Sequence, residues 1–168
     1  MIEINTYLQI PNIEMPVEFS ENHEDFFVNI NDSNKILNIV DQIDTDYIEG
    51  AIVIKYYDIT IIDFELWDLV VTFWAYLMNM VEEVLEMKRG HTYLPDQPLR
   101  IDMEILNKHS VSFKIGKGKY GDFVLPKKEF FLALINEAEN VFKKIDIYFS
   151  KKEDYHLEQI QRLRKNII

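Results

Sequence analysis

Cysteine is absent from the 168 residues of the chain, which excludes disulfide bonds and thiolate metal ligands. The absence also fits a reducing compartment. The N-terminal segment has no lysine or arginine ahead of an apolar run, as a secretory signal would require. We therefore expect a cytoplasmic protein.

Glycine and proline are scarce, at five residues each, and they are scattered rather than gathered into a linker. No internal repeat is visible, so residues 1–168 are predicted to form one domain. Long apolar runs are missing as well. The uncharged stretch 69–81 would span about 20 Å as a helix, against about 30 Å for a bilayer core, so no membrane span is predicted.

Bases are few in the first part of the chain. Residues 1–49 contain eleven acids and one base, Lys35, and they carry most of the net charge of −11. An acidic face repels phosphate backbones and attracts a basic protein, so we expect a basic protein partner and no nucleic acid; solubility alone is the alternative reason for the charge. The candidate partner-binding residues are Glu18, Glu21, Glu24, Asp25, Asp41, Asp44, Asp46 and Glu49.

Strands are predicted where apolar and polar residues alternate. These segments are 3–10, 26–30, 99–106, 111–116 and 122–125. Residues 50–62 are rich in β-branched side chains and form one long strand, or two short ones that meet near Tyr57. Short turns separate the last three strands, which predicts an antiparallel meander.

Two long amphipathic helices are predicted over residues 64–88 and 127–149. The first holds both tryptophans, is apolar over most of its circumference, and follows a capping Asp63. Gly90, just after two cations, marks its end, and residues 91–98 are predicted to form a loop. The second helix follows Pro126 and carries one apolar stripe.

Two further helices are shorter. Apolar spacing favours one within residues 35–44. Ser150 and Glu153 have the spacing of a capping box, which predicts a C-terminal helix over 151–166. This helix has few apolar residues, so it is expected to lie on the surface or to dock on a partner.

The grouping of these elements predicts an α+β fold rather than a parallel α/β sheet. In this fold one antiparallel sheet is built from residues 1–30, 48–62 and 99–125. The two long helices cover the sheet, and the short C-terminal helix completes the domain.

Residues with catalytic or ligand-binding chemistry form no recognisable motif. The four histidines, His23, His91, His109 and His156, lack metal-ligand spacing, and the glycine-rich segment 116–121 is predicted to be a hairpin loop. We therefore predict no catalytic residue, no metal and no cofactor.

Three features allow more than one interpretation. Asp68, Glu82 and Glu86 share one helical strip, which is either a solvent-facing edge or a carboxylate site. The aromatic residues near the first long helix are interpreted as core, with a ligand pocket as the alternative. Asp96 lies between two prolines in a loop that either presents contacts or caps the next strand.

One order of features resembles a known class of proteins. A tryptophan-rich helix leads to the loop "YLPDQP", an alternating strand pair follows, and then "LPKKEFFLALINEAENVFKKI". Over about residues 50–149 this order resembles small bacterial proteins, some of which look like immunity proteins of polymorphic or contact-dependent toxin systems. The resemblance implies a non-enzymatic protein that blocks a toxin by covering its surface, and it assigns no functional residue.

Three functional hypotheses follow. The first is a protein-binding module of the immunity type that neutralises a basic toxin through its acidic N-terminal half. The second is a small-molecule sensor or enzyme with a pocket between the sheet and helix 64–88. The third is a structural or oligomeric protein that associates through helix 151–166.

Overall fold

The computed structural model describes residues 1–18 and 22–167 and places their strands in two antiparallel sheets. The first sheet contains β1 (Ile2–Gln9), β2 (Phe27–Asn29), β3 (Glu49–Tyr56), β4 (Ile59–Ile62) and β5 (Asp68–Leu69). Its order is β2-β1-β3-β4, and β5 pairs with the opposite end of β3. The second sheet is the meander β6 (Arg89–Tyr93), β7 (Arg100–Ile105), β8 (Ser110–Ile115) and β9 (Gly121–Pro126).

In the part of the chain that the structure describes, four α-helices accompany the sheets: α1 (Ser33–Leu37), α2 (Val70–Met87), α3 (Lys127–Phe149) and α4 (Asp154–Ile167). The predicted α+β class is confirmed, as is the second long helix. Residues 50–62 contain two strands joined as a hairpin, which is one of the two alternatives that the sequence left open. The strands form two sheets rather than the single sheet predicted. They do so because α2 separates β5 from β6 in the chain and leads directly into the second sheet.

The tryptophan-bearing helix is shorter than predicted at its N-terminus. Phe64–Leu66 form a 3₁₀ helix, in which Asp63 Oδ1 accepts the Glu65 amide at 3.0 Å. The next residues pair with β3 as the strand β5, so α2 begins only at Val70. Asp63 is therefore a cap, as predicted, but of the 3₁₀ helix.

The C-terminal end of α2 also differs from the prediction. Lys88, not Gly90, adopts the left-handed conformation that ends the helix, with φ 67°. Gly90 already belongs to β6, where a Cβ atom would approach Glu83 Oε2 to 2.8 Å. The loop predicted over residues 91–98 is wrong for its first part, because Arg89–Tyr93 pairs with β7.

The core lies between the sheets and the long helices. Trp74 on α2 is fully buried, and its indole Nε1 donates to Thr6 Oγ1 of β1 at 3.1 Å. Phe113 of β8 and Phe130 of α3 meet edge to face, with their ring centroids 5.3 Å apart. The interpretation of the aromatic residues near this helix as core is confirmed for Phe73 and Trp74 but is wrong for Tyr57 and Tyr76, which are exposed.

The C-terminal helix packs on the domain. Ile160 and Leu163 of α4 are each 1% exposed, whereas Tyr155, Glu158 and Arg162 on the same helix are exposed. The helix therefore lies on the surface, which is one of the two expected positions. The capping box is wrong, because Ser150 adopts φ 51° as the C-cap of α3 and α4 begins only at Asp154. Within the described residues, no helix combines the length and apolar character needed to cross a membrane.

The carboxylate strip predicted on the first helix is divided between different surroundings. Asp68 precedes α2 and is 4% exposed, whereas Glu86 is exposed. Glu82 lies under α4, where its Oε2 accepts Gln159 Nε2 at 2.9 Å. The interpretation of the strip as one solvent-facing edge is therefore wrong, and the three carboxylates do not form a common site.

Candidate functional site: an acidic groove

Three adjoining clefts form a groove beside the strands β4 and β5. Their volumes are about 320, 320 and 560 Å³. The first and second clefts share Glu49 and Asp96, and the second and third share Glu65 and Gln97. We call the three clefts together the acidic groove. The 560 Å³ cleft is its wide end.

The groove is acidic throughout. Its carboxylates are Asp44, Glu49, Asp63, Glu65, Asp68 and Asp96. Among the described residues that line it there is no lysine or arginine, and none of these carboxylates forms an ion pair with a described residue. The groove is therefore a surface of uncompensated negative charge.

Acids in the second sheet differ in this respect. Asp102 pairs with Arg100 at 2.6 Å, and Asp122 pairs with Lys114 at 3.2 Å. Both pairs lie on solvent-accessible strands, where the opposite charges neutralise each other locally.

The middle of the groove is held by backbone hydrogen bonds to a buried carboxylate. Asp68 Oδ1 accepts the Leu69 amide at 2.7 Å and the Asp96 amide at 3.1 Å. Gln97 Nε2 donates to the Trp67 carbonyl at 2.9 Å. These bonds fix the loop after β6 against β5, so that Asp96 and Trp67 line the same cleft.

Burial and mutual repulsion perturb two of these carboxylates. Burial is the largest cause that raises the pKa of Glu49, and the charges of Asp96 and Asp68 raise it further. Burial likewise raises the pKa of Asp68, although the amides of Leu69 and Asp96 oppose the shift. A cation in the groove would relieve this repulsion.

The wide end combines acid with an apolar floor. Ile61, Leu66, Leu99 and Ile115 supply the apolar surface. Asp63 and Glu65, both exposed, lie beside them. This chemistry suits a side chain with an apolar stem and a cationic end.

The predicted acidic residues are only partly brought together. Asp44 and Glu49 line the groove, whereas five other members of the predicted set are exposed outside it: Glu18, Glu24, Asp25, Asp41 and Asp46. Glu24 lines a separate cavity of about 490 Å³ together with Lys35. Glu21 lies outside the described residues.

Four groove carboxylates were not among the predicted partner-binding residues. Asp63 and Glu65 had been assigned to a helix start, and Asp68 to the helical strip. Asp96 was noted as a loop acid between prolines, which was the one local signal of its role. Their meeting with Glu49 depends on the pairing of β5 with β3, for which two residues of sequence give no pattern.

Two of the four histidines pack against aromatic rings. His23 stacks on Phe64 at 4.3 Å between ring centroids, and His156 stacks on Phe142 at 4.6 Å. Among residues 1–18 and 22–167, no group of histidine and carboxylate side chains is arranged to hold a metal ion. Between the first sheet and α2, the side chains of Phe73 and Trp74 are buried in the core.

Comparison with known proteins gives no relative: no family model, no curated protein and no solved structure matches this chain. The fold and the groove define an α+β protein with two antiparallel sheets and one uncompensated acidic face.

Proposed function

We propose that the protein is a non-enzymatic binding module whose acidic groove docks a basic protein, in the manner of an immunity protein that covers a toxin. The observation that carries the proposal is the meeting of six carboxylates from separate chain segments with no lining cation. The toxin-blocking role rests on the resemblance of residues 50–149 to immunity proteins.

Binding has two physical components. The negative field of the groove raises the rate of encounter with a basic surface, and salt weakens this effect. After encounter, a lysine or arginine of the partner replaces the mutual repulsion of Glu49, Asp68 and Asp96 with attraction. Trp67 lines the same cleft and offers an aromatic face to such a cation.

Calorimetric titration tests the proposal. The probes are purified basic toxin domains encoded beside the gene, and an unrelated basic protein of similar charge is the comparison. We expect one neighbouring toxin domain to bind tightly, with an affinity that falls as salt is raised from about 0.05 to 0.5 M. Failure of every neighbouring basic protein to bind more tightly than the comparison protein would contradict the proposal.

Matched variants locate the binding surface. Glu49→Gln with Glu65→Gln removes two charges from the groove. Glu14→Gln with Glu18→Gln removes two exposed charges outside it. We expect the groove pair to weaken binding about tenfold or more and the outer pair less than threefold. Equal losses would mean that net charge, not the groove, determines binding.

A further inference from the structure

The strand β4 has a free edge that faces the groove. It pairs with β3 through Tyr56↔Ile59, Lys55↔Thr60 and Ile54↔Ile62, and it ends the order β2-β1-β3-β4. Among the described strands, none pairs with its outer edge. Edge strands present unpaired backbone donors and acceptors, which are a template for another chain.

The surroundings of β4 distinguish it from the other strands that end the two sheets. Thr60 and Ile61 line the wide end of the groove, opposite Leu99 and Ile115 of the second sheet. The strands β2, β6 and β9 contribute no residue to the groove as defined. An extended chain laid along β4 would therefore enter a cleft of about 560 Å³ that already has an apolar floor.

Acids flank this edge. Asp58 lies in the turn before β4, and Asp63 and Glu65 follow it; all three are exposed. Asp63 also lines a further cleft, of about 350 Å³, on the outer face of the first sheet, together with Glu3 and Lys55. A segment on β4 would thus meet apolar surface on one face and, on the other, a surface whose two carboxylates outnumber its one lysine. This arrangement complements alternating apolar and basic residues.

We infer that the groove receives an extended segment of the partner, in which basic and apolar residues alternate, and that this segment adds a strand to the edge of β4. The inference rests on the proposed function and specifies how the groove is occupied. Backbone hydrogen bonds to β4 set the register, and apolar side chains lie on Ile61, Leu99 and Ile115. Because β4 has four residues, the acids supply a large share of the affinity.

A synthetic heptapeptide of alternating arginine and leucine is the probe. Two control peptides carry N-methyl groups on alternate residues, one in each phase, which keeps side chains and charge but removes backbone donors along one edge. A third control has the same composition with arginines and leucines in blocks. Binding is measured by fluorescence anisotropy, and amide hydrogen exchange of Ile59–Ile62 is measured by NMR with and without peptide.

We expect the alternating peptide to bind and to slow exchange in β4. N-methylation in one phase, but not the other, should weaken binding about tenfold, because only one edge of the added strand meets β4. Equal binding of both N-methylated peptides, or unchanged exchange in β4, would overturn strand addition. Absence of peptide binding would also overturn it, while the proposed function is judged separately from the titration with whole basic proteins.

Discussion

Asp68 accepts the backbone amide of Asp96 through both carboxylate oxygens, at 3.1 and 3.2 Å, across 28 residues of sequence. The bond connects β5 to the loop after β6 and therefore connects the two sheets at the groove. A carboxylate that is 4% exposed and bonded to backbone amides is a fixed part of the framework. Asp96 owes its position in the groove to this contact.

Removal of this carboxylate should loosen the groove. We expect Asp68→Ala to lower the free energy of unfolding by about 1–3 kcal/mol, because the Leu69 and Asp96 amides lose their acceptor. Urea denaturation measures the change, and amide exchange should accelerate at Asp96. Asp58→Ala, at an exposed turn acid, should stay within about 0.5 kcal/mol. Similar stabilities of the two variants would contradict the structural role of Asp68.

The partial burial of Glu49, together with repulsion from Asp96 and Asp68, should make stability depend on pH. The pKa of Glu49 is raised in the folded protein, so the folded state holds its proton more tightly than the unfolded state does. The protonated Glu49 therefore makes its full contribution to stability below the pKa that this residue has in the unfolded chain. That contribution is lost as pH rises through the pKa that it has in the folded protein. At pH 7 the ionised Glu49 destabilises the fold.

Glu49→Gln should consequently raise the melting temperature at pH 7. The difference in melting temperature between the variant and the wild type should shrink as pH falls. It should vanish below the ordinary glutamate pKa of 4.5, where Glu49 is protonated in both the folded and the unfolded state. Differential scanning calorimetry across this range measures the effect. Glu158→Gln, at an exposed position on α4, serves as the control and should show no comparable advantage.

The hydrogen bond between Trp74 and Thr6 should stabilise the core. Both residues are fully buried, so Thr6→Val leaves the indole N–H without its acceptor and should cost about 1–3 kcal/mol. A double-mutant cycle with Trp74→Phe should give a coupling of about 1 kcal/mol. As a control, Ser33→Ala removes an exposed hydroxyl that bonds Tyr148 and should cost less than about 0.5 kcal/mol. Additivity of the two core substitutions would refute the bond's contribution.

The packing of α4 should contribute to stability. Ile160→Ala should cost about 2–5 kcal/mol, because its side chain is 1% exposed against the rest of the domain. Tyr155→Ala, on the same helix but 66% exposed, should cost little. Denaturation monitored by tryptophan fluorescence compares the two variants. If Ile160→Ala changed the mass in light scattering while leaving stability intact, the helix would be an association surface instead.

Local sequence patterns predicted the helices and strands in which buried residues recur at a regular spacing. The stripe of Phe131, Leu134, Ala138 and Val141 gave α3 its predicted bounds, because burial on one face imposes the helical period. The alternation around Phe113 likewise predicted β8. The start of α2 was missed because Leu66 and Trp67 fit the apolar period of the helix, whereas the next two residues, Asp68 and Leu69, pair with β3.

The acidic groove was only partly predictable. The excess of acids in residues 1–49 led to the prediction of an acidic binding surface, and two of its predicted residues, Asp44 and Glu49, line the groove. It gave no reason to join them to Glu65 or Asp96, because Coulomb interactions depend on distance in space rather than on order in the chain. The predicted set therefore mixed groove residues with acids that lie outside the groove.

The sequence by itself determined the α+β class, the long helix α3 and the excess of negative charge, since each follows from composition or from a short-range period. Only the tertiary structure decided that the strands divide into two sheets and that α4 covers Glu82. It also decided that Glu49, Asp68 and Asp96 share one groove. These features depend on pairings between distant segments, whose free energies arise only when the chain is folded.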